Sequence, residues 1–161
     1  MNLLQKFKLY LKTNKSNEQH IDYSDMLDSY ILNKRLISYS IQERSSRITS
    51  MTGVEFEDYI KDLFSAKGIR CESTPVTGDY GVDLIAHLNS KKIAIQCKRY
   101  KDRVGFSAVQ EVYTGKDLYG CTEGWVVTNS SFSRQALESS KKLKIKLVNV
   151  CHVLDQIQLA N

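Results

Sequence analysis

The pattern of apolar residues in this 161-residue chain predicts an α/β domain, a mixed β-sheet flanked by helices, preceded by a helical N-terminal extension. Three observations carry that expectation. Strand-like and helix-period stretches follow one another as helix, strand, strand, strand, helix, strand, helix, strand, helix, an order that puts helices on both faces of a mixed sheet. Hydrophobic residues make up 42% of the chain and charged residues 25%, a balance that supports a packed core and argues against wholesale disorder. The pattern also changes near residue 51, which divides the chain into an extension, 1–51, and a domain, 52–161.

In the extension, Leu3, Leu4, Phe7, Tyr10 and Leu11 fit one face of a short helix, and residues 12–19 are polar enough for a loop. A longer helix is expected from Tyr23 towards Arg47. Its stripe of Tyr23, Leu27, Tyr30, Lys34, Ile37 and Ile41 is heptad-like, broken by Lys34. That stripe has two uses: packing on the protein's own core, or pairing with a second copy of the chain.

The domain opens with Thr52-Gly53-Val54-Glu55, a capping-box pattern. A helix is expected from there to about Lys67, with Val54, Tyr59, Ile60, Leu63 and Phe64 as its apolar residues and Gly68 as its stop. Ile69 to Ser73 is strand-like. Pro75 and Gly78 mark a loop. Val82–Leu88 and Lys92–Lys98 form a β-hairpin around a turn at Asn89-Ser90-Lys91. Ser107 to Gln110 repeats a capping-box pattern and starts a helix carrying Val109, Val112, Tyr113 and Leu118. A strand from Gly124 to Asn129, a helix from Ser130 to Lys142, a strand from Ile145 to Val150 and a closing helix with Val153, Leu154 and Ile157 complete the order.

The hairpin concentrates the chemistry. Alternation places Ile93, Ile95 and Cys97 on one face of its second strand and Ala94, Gln96 and Lys98 on the other. Asp83 begins the first strand. A carboxylate and an amide oxygen can hold a hard divalent cation, and an ammonium beside them can face an attacking water or a phosphate. Gly81, between Asp79 and Asp83, offers a bare backbone where a phosphate or metal could approach.

Asp79-x-Gly81-x-Asp83, followed by Gln96-Cys97-Lys98-Arg99-Tyr100, resembles the PD-(D/E)xK nuclease signature, and more narrowly the Mrr-type restriction endonuclease catalytic domain, in which Gln replaces the second acidic residue. The string GVEFEDYIKDLF resembles the first helix of that domain, and the block made of the Gly124–Asn129 strand and the Ser130–Lys142 helix resembles another of its elements. The resemblance spans Thr52 to the C-terminus. It implies a restriction-endonuclease-like three-layer core and a Mg²⁺-dependent DNA endonuclease, with Mn²⁺ as a substitute. Asp83 and Gln96 would be metal ligands, with Glu57 as a further ligand or an ordinary solvated helix carboxylate. Lys98 would orient or help deprotonate water and offset charge on the phosphorane. Arg99, Lys101 and Arg103 would hold the DNA backbone, and Gln110 would either reach the centre or cap its helix. A structure-specific nuclease resembling a Holliday-junction resolvase and a catalytically degenerate DNA- or protein-binding module are the alternatives. About fifty N-terminal residues are too few for a separate DNA-reading domain, so target specificity does not carry over.

The net charge of +5 suits a polyanionic partner without establishing one. Basic residues cluster between Lys91 and Arg103 and again at Lys141, Lys142, Lys144 and Lys146. The first run touches the proposed site, whereas a solvated face would account for the second. Cys71, Cys97, Cys121 and Cys151 form no zinc spacing, and free thiols in a cytoplasmic protein account for them. His87 and His152 are expected to be structural. No apolar run reaches the roughly eighteen residues that span a bilayer, and no signal peptide is expected. A homodimer is a further expectation, because one such site cuts one strand.

Overall fold

The structure, a computed structural model, describes residues 31–32, 43, 45–75, 78 and 80–153. The chain divides into two compact units, Met1–Tyr39 and Ser40–Asn161. The expected N-terminal helix and heptad-like stripe, Asp79 of the DxGxD pattern, and Leu154 and Ile157 of the closing helix lie outside the described residues.

The second unit is built from helix α1 (Gly53–Ser65), strands β1 (Arg70–Ser73), β2 (Leu84–Leu88) and β3 (Lys91–Lys98), helix α2 (Phe106–Leu118), β4 (Glu123–Thr128), α3 (Arg134–Leu143) and β5 (Ile145–Asn149). The five strands lie in sequence order. β1, β2 and β3 pair antiparallel, and β3, β4 and β5 pair parallel, so the sheet is mixed as expected. The two parallel links need crossovers, and α2 and α3 supply them.

Alternation along β3 divides the core. Ile93, Ile95 and Cys97 join Trp125, Val127 and the α1 residues Phe56, Ile60 and Phe64 on one face. Ala94 joins Val126 and the α2 residues Ala108, Val109 and Val112 on the other. The capping box at Thr52 is formed: the Thr52 amide donates to Glu55 Oε2 at 2.6 Å, and the Glu55 amide donates to Thr52 Oγ1 at 3.2 Å.

Several local expectations shift. Lys91 lies in β3 opposite Leu88, because Asn89 takes a left-handed φ of 53° and closes a two-residue turn. The expected Ser107 capping box is absent: Gly105 is the N-cap of α2 and no side chain caps it. The start of α2 is held instead from a neighbouring loop, where the Val104 amide donates to Ser131 O and the Ser133 amide to Val104 O, both at 2.9 Å. Phe132 precedes α3, which Ser133 caps.

Ile48, ahead of α1, is buried in the α1-side core. Ile48→Ala should therefore cost about 2–5 kcal/mol through lost burial and a cavity, read as a lower urea midpoint. α2 crosses the segment before β2 at two glycines. A Cβ on Gly115 would lie 2.5 Å from both Tyr80 O and Val82 Cγ2. A Cβ on Gly81, whose φ is +74°, would lie 2.4 Å from Glu111 Cβ. Gly81→Ala should destabilise the domain by about 1–3 kcal/mol from that clash alone, again measured by urea unfolding.

Candidate active site

Asp83 stands one residue ahead of β2, so continuing the register of Leu84 opposite Ile95 places it across from Gln96. Its amide donates to Ile95 O at 2.9 Å. Its carbonyl accepts from the Thr74 amide at 3.0 Å and from the Thr74 hydroxyl at 3.1 Å; that hydroxyl also donates to Val82 O. The Asp83 backbone is thus pinned from both sides. Its Oδ2 accepts from Gln96 Nε2 at 2.8 Å and from the Cys97 amide at 2.6 Å.

Gln96 is only 4% exposed. With Nε2 committed to the carboxylate, its Oε1 is buried and accepts no hydrogen bond from the protein. An uncompensated buried amide oxygen is costly. A divalent cation bound by this oxygen and Asp83 would satisfy it, so the donor set fits a hard cation. Among the described residues no three His, Cys, Asp or Glu side chains gather as a metal cluster; at this site the oxygen partner of Asp83 is an amide.

Lys98 follows Gln96 on the same face. Its ammonium pairs with Glu111 Oε2 of α2 at 2.9 Å, with the lysine side chain only 19% exposed. Burial opposes the charged form, but the Glu111 hydrogen bond and charge, with Tyr100 and Asp83, outweigh it and raise the Lys98 pKa above the ordinary lysine value. Lys98 therefore stands in the cleft as a charged donor at neutral pH. Desolvation, reinforced by the charges of Asp83 and Glu57, pushes the Cys97 thiol well up, so it stays neutral.

These groups line one cleft of about 420 Å³ with Gly53, Glu57, Gly81, Arg99, Tyr100 and Glu111. It opens at the C-terminal end of β3, between α1, which brings Glu57, and α2, which brings Glu111. A second hollow of about 370 Å³, lined by Arg47, Ser50, Met51, Glu55, Asp58, Tyr59 and Asp62, lacks this convergence of carboxylate, amide and ammonium.

Of the residues singled out from the sequence, Asp83, Gln96, Lys98, Glu57 and Arg99 meet in the cleft. Arg99 Nη1 donates to Thr49 O at 3.2 Å. Lys101, Arg103 and Gln110 are exposed and do not line it. Gln110 neither caps α2 nor faces the cleft; its immediate neighbour Glu111 faces it instead. Thr128 and Asn129 lie in the segment that resembles a family element, and the structure gives them a specific role. Thr128 Oγ1 donates to Lys98 O at 2.6 Å and Asn129 Oδ1 accepts from the Tyr100 amide at 2.9 Å, fixing the chain where it leaves β3. The strand's ending in small polar residues and the resemblance of this segment to a family element marked the positions, but not these two hydrogen bonds.

A similar sheet occurs in AspBHI, a DNA modification-dependent restriction endonuclease: TM-score 0.56, 19% identity, covering 74% of this chain and 35% of AspBHI. AF1548, a protein of unknown function, matches with TM-score 0.51 and 20% identity, covering 58% of this chain and 55% of AF1548. The chain thus spans about a third of AspBHI and half of AF1548, and at these identities the likeness concerns the fold. No curated protein matches the sequence. The family model Mrr_cat, described as restriction endonuclease, matches residues 48–156, from buried Ile48 through every residue of the cleft. The chain belongs to the Mrr-type restriction endonuclease catalytic-domain family.

Proposed function

We propose that this chain is a divalent-metal-dependent DNA endonuclease, with Mg²⁺ as cofactor and Mn²⁺ able to substitute. The observation that carries the reading is the Asp83–Gln96 pair: a pinned carboxylate beside a buried amide oxygen with no protein donor, with the Lys98 ammonium on the same sheet face.

Phosphodiester hydrolysis requires neutralising the phosphate, generating a nucleophile from water and stabilising the leaving oxygen. A cation held by Asp83 and Gln96 Oε1 would supply Lewis-acid charge and lower the pKa of bound water. Glu57 would contribute a carboxylate from the α1 side. Lys98 would donate to an oxygen of the phosphate as charge builds in the transition state. Arg99, at the cleft, would hold the DNA backbone without reading bases. Lys101 and Arg103, on the exposed chain that follows, would extend that contact. If the heptad-like pattern expected in the extension pairs with a second copy of the chain, two protomers would present two sites, for which C2 pairing is the common arrangement.

Incubation of the purified protein with supercoiled, linear and branched DNA, in Mg²⁺, Mn²⁺ or EDTA, tests the reading. Nicking should require the metal and vanish in Asp83→Ala and Lys98→Ala. Full cleavage by either folded variant would overturn it. Gln96→Glu should behave differently. It removes the Nε2 donor and sets a carboxylate against Asp83, which destabilises the metal-free protein. The added charge strengthens cation binding. Mg²⁺ should therefore raise the melting temperature of Gln96→Glu more than that of the wild type, and calorimetric titration should show tighter Mg²⁺ binding.

A further inference from the structure

Nuclease chemistry at Asp83 and Gln96 does not by itself require an acidic residue at the closest crossing of α2 over the loop before β2. We propose that Glu111 is a positioning residue of the cleft: its carboxylate holds the Lys98 ammonium in the direction from which it meets the phosphate. The inference rests on the nuclease reading for its consequence, but its structural content can be tested alone.

The arrangement is built rather than incidental. Gly81 lies against the Glu111 backbone so closely that a Cβ there would come within 3.0 Å of Glu111 Cα and 2.4 Å of its Cβ. One turn further along α2, Gly115 lies equally close to Tyr80 O. Together the two glycines bring this stretch of helix down onto the chain leading into Asp83, and that approach carries Glu111 to Lys98 at 2.9 Å. An apolar side chain would suit such a crossing better if packing were its only role. The Arg134–Glu138 pair on the surface of α3 shows the contrast, with side chains 92% and 61% exposed against 19% and 41% for Lys98 and Glu111.

A lysine has four side-chain torsions, and one without a partner samples many rotamers. Fixing its head group converts that freedom into orientation at the reacting centre. The alternative role, ligation of the cation, fits less well. Glu111 already engages the Lys98 ammonium and would have to leave it to bind a cation.

Three measurements on the full chain decide between these roles. The first is the relaxation of ¹³Cε in lysine-labelled protein, with the Lys98 signal identified through Lys98→Arg. Lys98 should be rigid in the wild type and mobile in Glu111→Gln; equal mobility in both overturns the proposal whether or not the protein cuts DNA. The second is single-turnover nicking of supercoiled plasmid. Glu111→Gln should slow it by about 10–100-fold, the scale of a misplaced catalytic group, and Glu111→Asp should fall between Gln and wild type. An unchanged rate in Glu111→Gln, in a wild type that does cut, overturns the proposal. If no metal supports cutting by the wild type, the nuclease reading fails, while the relaxation result still judges the positioning. The third is calorimetric titration with Mn²⁺. A fall of no more than about tenfold is expected in Glu111→Gln, from removing one negative charge from the cleft; a larger fall makes Glu111 a ligand and overturns the proposal.

Discussion

Asp83 Oδ2 accepts two hydrogen bonds, both from β3: the Gln96 amide at 2.8 Å and the Cys97 backbone at 2.6 Å. The orientation of the carboxylate therefore depends on the β2–β3 register. That register is set at the other end of the hairpin, by the left-handed Asn89 turn and by Leu88 opposite Lys91. A slip of one residue would turn Gln96 and Lys98 towards α1 and bring Ile95 and Cys97 to the α2 face. The burial of Ile93 and Ile95 against Trp125 and Phe64 thus fixes the chemistry as firmly as any residue within the cleft. The same constraint fixes Gln96: with its amide nitrogen drawn to Asp83, its buried oxygen has no hydrogen-bond partner in the protein.

Strand direction also separates charges that sit together in the sequence. Lys98 pairs with Thr128, and Thr128 with Asn149, so β3, β4 and β5 all end on the side of the cleft. Lys91 begins β3. Seven residue steps place it about 23 Å from Lys98, where it pairs with Glu123. The run Lys141, Lys142, Lys144 and Lys146 falls at that far end too, because α3 has by then returned to Ile145 opposite Gly124. Lys146 stacks over Trp125 at 4.5 Å. The second basic run is thus remote from the chemistry, and of the first only the part from Lys98 onwards belongs to the cleft.

What was legible in the sequence was whatever alternation and local capping govern. The hairpin faces followed from a period of two, and the Thr52 capping box from a four-residue pattern, and both are present. What was not legible depends on contacts distant in sequence. Ser107 and Gln110 have the spacing of a capping box, but Val104 is tied to Ser131 and Ser133, and the helix begins at Phe106 with Gly105 before it. Glu111, not Gln110, lines the cleft. Ile48 could not be assigned to the core from its neighbours, because what buries it is the packing of α1 against the sheet. Gly81 reads in the sequence as a bare backbone open to a phosphate or metal; in the fold it lines the cleft, and the close packing of Glu111 against it is a second need for glycine that the sequence did not show.

The neutral amide at position 96 has an electrostatic consequence that the rest of the cleft makes clear. Asp83, Glu57 and Glu111 bring three formal negative charges, and Lys98 and Arg99 two positive ones, leaving one net negative charge. One bound divalent cation would make the sum positive by one. With a carboxylate at position 96 the sum would begin at minus two, and the same cation would only neutralise it. In a cleft partly shielded from water, that difference acts on an incoming phosphate through weakened screening. The Gln form therefore gives up some attraction for the cation and gains a cleft whose sign changes when a single cation binds. If the cleft binds a cation as proposed, an incoming phosphate would meet net negative charge when it is empty and net positive charge when it is loaded. Glu111 fits the same scheme: paired with Lys98, it restrains the ammonium without standing as an unopposed negative charge in the path of the phosphate.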